Sequence, residues 1–247
     1  MMNQESIMGM VLSATPVGEY DKRLVLLTKE YGKITAFAKG ARRPNCALLA
    51  CSQPFTFGRF QVYQGKTAYT LVGAEISNYF EDLRFDFNAV CYGLYFCEFA
   101  DYLSRENENS TQILKLLYQS LRALSKKTIP FTLIRYIFEF KIMALNGEAL
   151  QVFECVKCGK KEAGTLLSVR EGGLVCKDCK RKETDTIDLD EATVYTLQFI
   201  IATQIEKLYT FHVNQEVLEK LRLLSNQYLA IYVGHSFNSL EFLENEC

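Results

Sequence analysis

At 247 residues with 49% apolar content, the chain has enough hydrophobic material for two packed domains or one large one, and is too apolar to be disordered. No apolar run approaches the roughly 18 residues that span a bilayer. The start, Met-Met-Asn-Gln-Glu-Ser, lacks a basic stretch followed by an apolar one, so no export signal and no membrane partner are expected, only a cytoplasmic location. The net charge of −1 hides an asymmetry: residues 1–66 hold nine Lys/Arg and four Asp/Glu, a balance of +5, and the remainder carries −6. A basic first third is either the footprint of an anion binder or a solvated face.

Residues 7–76 read as all-β. A first strand runs from Ile7-Met8 through Val11-Leu12 to Pro16-Val-Gly, and a second is Arg23 to Thr28. Lys33 to Lys39 forms a third, Phe55 to Tyr63 a fourth and Thr67 to Glu75 a fifth. Five short strands broken by turn signals predict a small barrel, with the strand count of an OB-fold, whose face and loops commonly bind oligonucleotides. Alternation in the third strand sets Ile34, Ala36 and Ala38 on one face and Lys33, Thr35, Phe37 and Lys39 on the other. The second face is basic with one aromatic: cations offset phosphate charge, and a ring lets a base stack. Phe37 either does that or packs under a neighbouring loop. Lys39-Gly-Ala-Arg42-Arg43-Pro carries the basic theme into a loop, and Arg23, Arg59 and Lys66 add cations of unknown facing.

From Asp86 the period changes. Phe87, Val90, Cys91, Leu94, Tyr95, Glu98 and Tyr102 recur at helical spacing. Asn109-Ser110 caps a second helix striped by Ile113, Leu114, Leu117, Leu121 and Leu124. Pro130 opens a third, which Asn146-Gly147 stops. Asp188 or Asp190 caps a helix from Ala192 to about Lys207, and Asn214 caps the last, Val217 to Val233.

Between these helices lie two Cys-x-x-Cys pairs, Cys155/Cys158 and Cys176/Cys179, separated by the 17 residues Gly159 to Val175. Each pair brings two sulfurs to one ion, and two pairs complete a tetrahedron that suits zinc. Four protein ligands leave no open position, so the expected ion is structural, one per chain. Thr165 to Val169 and Leu174-Val175 read as a pair of short strands within this knuckle. Lys157, Lys160, Lys161, Lys177, Lys180, Arg181 and Lys182 surround it, either as a second binding surface or as a solvated one. Cys46, Cys51, Cys91, Cys97 and Cys247 read as free thiols, buried by default. The expected architecture is thus α+β: a barrel domain over 1–80, a helical domain over 81–153 and 183–247, and a zinc insertion over 154–182.

No G-x-G-x-x-G and no G-x-x-x-x-G-K-[ST] occurs. The two histidines, His212 and His235, sit in no H-x-x-x-H or H-x-E setting, and Glu81, Asp82 and Asp86 read as the lead-in to a helix. A non-enzymatic nucleic-acid binder is the expectation. The alternatives are a zinc-ribbon enzyme acting on nucleic acid and a zinc-dependent DNA-binding regulator.

Several blocks, in order, resemble the bacterial RecO family of recombination mediators over nearly the whole chain. They are Gly18-Glu-Tyr-Asp-Lys-Arg-Leu-Val-Leu-Leu-Thr-Lys-Glu-Tyr-Gly-Lys33, Ala38-Lys-Gly-Ala-Arg-Arg-Pro44, Tyr69-Thr-Leu with Ala74-Glu75, Glu98-Phe-Ala-Asp101, and the two cysteine pairs. Two segments depart from the pattern: Asn146-Gly-Glu-Ala-Leu follows the helix before the knuckle, and Cys46 and Cys51 follow Pro44. The resemblance implies an OB-fold followed by a helical domain interrupted by a zinc site. It also implies binding of single- and double-stranded DNA, annealing of complementary strands, and work in DNA repair with RecR and with the acidic C-terminal tail of single-strand-binding protein, helping indirectly to load RecA at the nucleoid. The DNA contacts expected on this basis are Arg23, Lys33, Phe37, Lys39, Arg42, Arg43, Arg59 and Lys66.

Overall fold

In strand β1 (Gln4–Val17), the inward positions Ile7 and Val11 join Leu24 and Leu26 of β2 (Asp21–Thr28) in one core. Ile34, Ala36 and Ala38 of β3 (Lys33–Ala38), Phe60 and Val62 of β4 (Phe57–Gln64) and Leu71 of β5 (Tyr69–Asn78) complete it. The strands close in the order β1-β2-β3-β5-β4, with β3 and β5 parallel and the other pairs antiparallel. Closure removes the free edges that an open sheet would present. β1 serves two partners: residues from Gln4 to Met10 pair with β4 and those from Gly9 to Val17 with β2, with a register break between Val11 and Ser13. This is the computed structural model of the chain, and it describes residues 4–161, 163–181 and 185–246. Lys182 and Cys247 lie outside the described residues.

Contacts divide the chain into two compact units, the first running to Lys126 and regaining the chain from Phe237 onward, the second spanning Lys127–Ser236. In the first, a short helix α1 (Leu48–Cys51) follows β3, and α2 (Glu81–Arg84) follows β5. Helix α3 (Phe87–Leu103) starts at Asp86, whose carboxylate accepts from the Ala89 N–H at 3.1 Å. It packs on β1, on α4 (Thr111–Lys126) and on α8 (Asn238–Glu246). The β2–β3 turn docks on the end of α3. Gly32 there has φ +63°, and a Cβ would stand 2.0 Å from the Arg105 carbonyl oxygen, so only glycine fits. The fourth strand begins at Phe57, later than Phe55, because Phe55 takes φ +72° and buries its ring against Gly93 of α3. Helix α8, which periodicity did not reveal, is fixed by Phe237 among Tyr95, Phe99 and Tyr102 and by Glu98, which accepts from the Asn238 and Ser239 N–H groups at 3.2 and 3.0 Å.

The second unit is built on α5 (Phe131–Leu145), where every residue from Leu133 to Met143 is buried. A helix apolar nearly all round belongs at the centre of a core. Its three buried charges are all engaged. The Glu139 carboxylate accepts from Arg135 Nε at 2.8 Å and from the Ser225 hydroxyl of α7 (Gln215–Tyr232). Lys141 Nζ donates to the Ile201 and Thr203 carbonyls at 2.7 and 2.8 Å. That cation closes the C-terminus of α6 (Glu191–Ala202), whose chain turns extended at Thr203, so the helix ends before the short 3₁₀ turn at Ile205–Lys207 instead of running through it. Asp190 and Asn214 cap α6 and α7. Among the described residues, no helix is long and apolar enough to cross a membrane.

Candidate metal centre and nucleic-acid interface

The two cysteine pairs meet. The sulfurs of Cys155, Cys158, Cys176 and Cys179 all lie within 4.8 Å of one another, and Cys158 and Cys176 are 3.8 Å apart. Each pair forms a tight turn, closed by Gly159 N–H to the Cys155 carbonyl at 2.8 Å and by Cys179 N–H to the Cys176 carbonyl at 3.0 Å. β6 (Leu166–Ser168) lies between β7 (Gly173–Leu174) and a third strand, β8 (Ile187–Asp188), which the sequence did not signal. Gly173 lies so close to Gln151 that a Cβ would stand 2.2 Å from its carbonyl oxygen, so the second turn sits flush against the segment leading into the first. Burial pushes the Cys155 thiol up, but N–H donation from Cys176, Lys157 and Cys158 outweighs it and holds the group at about 6. Hydrogen bonds with Cys158 and Cys176 push Cys179 up to about 12. Four sulfurs this close cannot all ionise without a cation among them, and the donor set fits a four-coordinate metal ion.

Two of the surrounding cations are engaged locally, Lys157 with Glu171 and Lys160 with Asp178 at 3.2 Å. Lys161, Lys177, Lys180 and Arg181 are exposed. The remaining described cysteines form no disulfide; Cys51, Cys91 and Cys97 are buried, and Cys46 is half-buried.

On the barrel, register decides which cations meet. Arg23 of β2 stands directly opposite Phe37 of β3, which in turn is level with Thr70 of β5. Directly opposed side chains lie about 5 Å apart at Cβ. Arg23 is exposed and Phe37 half-buried, while their neighbours Leu24, Ala36 and Ala38 fill the interior. Lys22 also faces inward, donating to the carbonyl and hydroxyl of Ser52 at 3.2 Å, and burial followed by the Arg42 charge lowers its pKa.

Beyond β3, the loop with Lys39, Arg42 and Arg43 folds against the β1–β2 turn. Gly40 N–H donates to Asp21 at 2.7 Å, and Arg42 N–H donates to the Tyr20 carbonyl at 2.9 Å. The Arg42 guanidinium donates to the Gly18 and Glu19 carbonyls at 3.2 and 3.1 Å. The Arg43 guanidinium lies over the Tyr20 ring, 4.7 Å from its centroid. Tyr20 was no candidate in the sequence, because its pairing with Arg43 crosses two loops; a ring in a turn just after Gly18 was the available signal. Arg23, Phe37, Lys39, Arg42 and Arg43 thus share one end of the β2–β3 face.

Three other expected contacts stand elsewhere. Lys33 lies at the opposite end of β3, its ammonium on the Asp101 carboxylate at 2.8 Å and the Asp101 carbonyl at 2.7 Å. Lys66 sits in the β4–β5 turn; since Tyr69 pairs in parallel with Ala36, that turn falls toward the start of β3, the end away from Arg42 and Arg43. Arg59 is exposed on β4 between Met8 of β1 and Glu75 of β5, beside a recess of about 410 Å³ lined by Glu5, Lys29, Glu30 and Tyr31. It does not join the Arg23–Phe37 row.

Comparison with known proteins covers both parts of the chain. Residues 2–80 match the family model for the Recombination protein O N terminal domain, and residues 84–241 match that for the Recombination protein O C terminal domain. The chain is 33% identical over 235 residues to the DNA repair protein RecO of Alkaliphilus metalliredigens, covering 94% of this chain and 96% of that one. It is 32% identical to RecO of Caldicellulosiruptor bescii, covering 95% of each, and 31% identical to RecO of Bacillus pumilus, covering 95% and 91%. Barrel, helices, cysteine cluster and full-length similarity agree: the chain belongs to the RecO family of DNA repair proteins.

Proposed function

We propose that the chain is a non-enzymatic recombination mediator that binds single- and double-stranded DNA and anneals complementary strands. In this role it helps RecR and single-strand-binding protein pass a gap to RecA, and it works at the nucleoid. The observation that carries the reading is the β2–β3 face, where an arginine and a phenylalanine stand side by side next to the cationic loop of Lys39, Arg42 and Arg43. That face and its flanking turns are where five-stranded barrels of this kind hold oligonucleotides. Arg23, Lys39, Arg43 and Lys66 offset phosphates and release counterions, so binding depends on salt more than on sequence. Phe37 offers a ring to a base. Arg42 braces the loop. Lys33 is occupied by Asp101, and Arg59 serves another side of the barrel. Two strands gathered on one basic surface repel less and meet more often, which favours annealing without any bond being made or broken.

In this reading residues 1–80 hold DNA and 154–182 form a metal insertion in a helical domain of 81–153 and 183–247. Cys155, Cys158, Cys176 and Cys179 hold one zinc, which uses all four positions and so keeps shape instead of performing chemistry. A strand-annealing assay with and without ATP tests the function. The expected result is acceleration that needs no nucleotide and leaves both strands intact; a requirement for ATP, or cleaved product, would contradict it.

A further inference from the structure

The β1–β2 turn and the loop after β3 are locked together by four hydrogen bonds: Gly40 N–H to Asp21, Arg42 N–H to Tyr20, and the Arg42 guanidinium to Gly18 and Glu19. The lock fixes the relation between the Tyr20 ring and the Arg43 guanidinium, 4.7 Å from the ring centroid. Tyr20 is nevertheless 39% exposed, so a face of the ring stays open to solvent. We infer that Tyr20 and Arg43 form a stacking platform for one unstacked base of a single strand, separate from the platform at Phe37. The inference rests on the functional reading above and adds a subsite to it.

Chemistry and register both favour a base as occupant. Bases stack on aromatic rings and on guanidinium planes alike, and a guanidinium held over a ring presents both kinds of surface while its N–H groups remain available to a phosphate. Arg23, the cross-strand partner of Phe37, comes three residues after Tyr20, about 10 Å along a strand. That separation is about three times the roughly 3.4 Å between successive stacked bases, so the two platforms take bases that are not neighbours in the strand. A base lying on either platform stacks on protein instead of on its neighbour, which leaves its edge open to a complementary strand. Arg42, spent on backbone carbonyls, is a positioning residue here and not a contact.

The test is equilibrium binding of the full-length protein to oligo(dT) and to a strand of equal length made of abasic sites, over a salt series. Tyr20→Ala should weaken oligo(dT) binding on the order of 10-fold at fixed salt and leave the salt slope unchanged, whereas Tyr20→Trp should bind at least as well as the original. On the abasic strand, wild type and Tyr20→Ala should bind equally. Undiminished oligo(dT) binding by Tyr20→Ala, an equal loss on both strands, or a slope lowered as by Arg43→Ala would each overturn the platform while leaving the functional reading intact. A wild-type protein that ignored oligo(dT) would overturn both.

Discussion

The salt dependence of single-strand binding can be worked out from the barrel face. Three cations there, Arg23, Lys39 and Arg43, and a fourth, Lys66, in the β4–β5 turn toward its other end, are exposed, and no ion pair holds them among the described residues. Each phosphate neutralised on a single strand contributes about −0.7 to the slope of log K against log salt, so four give about −2.8. Between about 50 and about 200 mM salt, affinity should then fall about 50-fold. Arg43→Ala should reduce the slope to about −2.1 and the loss to about 20-fold. Lys33→Ala is the matched control, since its charge already faces Asp101 at 2.8 Å; it should leave the slope where it was. Fluorescence anisotropy of labelled oligo(dT) measures all three. A slope near zero, or a fall on losing Lys33 equal to that on losing Arg43, would refute the reasoning.

Three further outcomes are expected. Glu139→Ala removes the carboxylate that accepts from Arg135 and Ser225 in the centre of the second unit and should destabilise the protein by about 3–5 kcal/mol in urea unfolding; a cost below about 1 kcal/mol would show that the carboxylate is dispensable. Burial raises the Asp190 carboxyl, but Lys220 at 2.7 Å and the Thr193 donors outweigh it and hold the group well below the usual carboxylate range. Because its folded pKa is depressed, its contribution is present above the unfolded value of about 4 and is lost as pH falls below it. The stability gap between wild type and Asp190→Asn, which keeps a capping side chain, should be flat from about pH 5 to about pH 8 and close on acidification; a gap that widened in acid would contradict this sign. Metal analysis should find one zinc per chain, with Cys176→Ser falling below half and a chelator lowering the thermal midpoint; full-length protein with no metal and an unchanged midpoint would remove the centre.

What the sequence made legible was whatever depends on neighbours in the chain. The alternation of Ile34, Ala36 and Ala38 declared the inward face of β3, Asn214 declared its helix, and Asp86 and the choice between Asp188 and Asp190 announced two others, because strand period and N-caps are local. The cysteine cluster was legible for the same reason: two-residue spacing builds half a tetrahedron by itself. Lys33 looked like its exposed neighbour Lys39, yet it is held by Asp101, 68 residues away, and no periodicity carries that information. Arg59 was set apart from Arg23 by the double pairing of β1 across its register break, which only closure of the barrel defines. The missed helix α8 is stabilised by Phe237 and Glu98 across 140 residues of chain, where a short segment after Gly234 offers little local signal.

The central claim is that a single strand lies on the β2–β3 face of the barrel. Backbone amide shifts of isotope-labelled protein titrated with oligo(dT) test it most directly. The account predicts movement at Tyr20, Arg23, Phe37, Lys39 and Arg43, with Arg59 and the Cys155–Cys179 knuckle unmoved. Shifts centred on the knuckle or on Arg59, with a silent β2–β3 face, would contradict it.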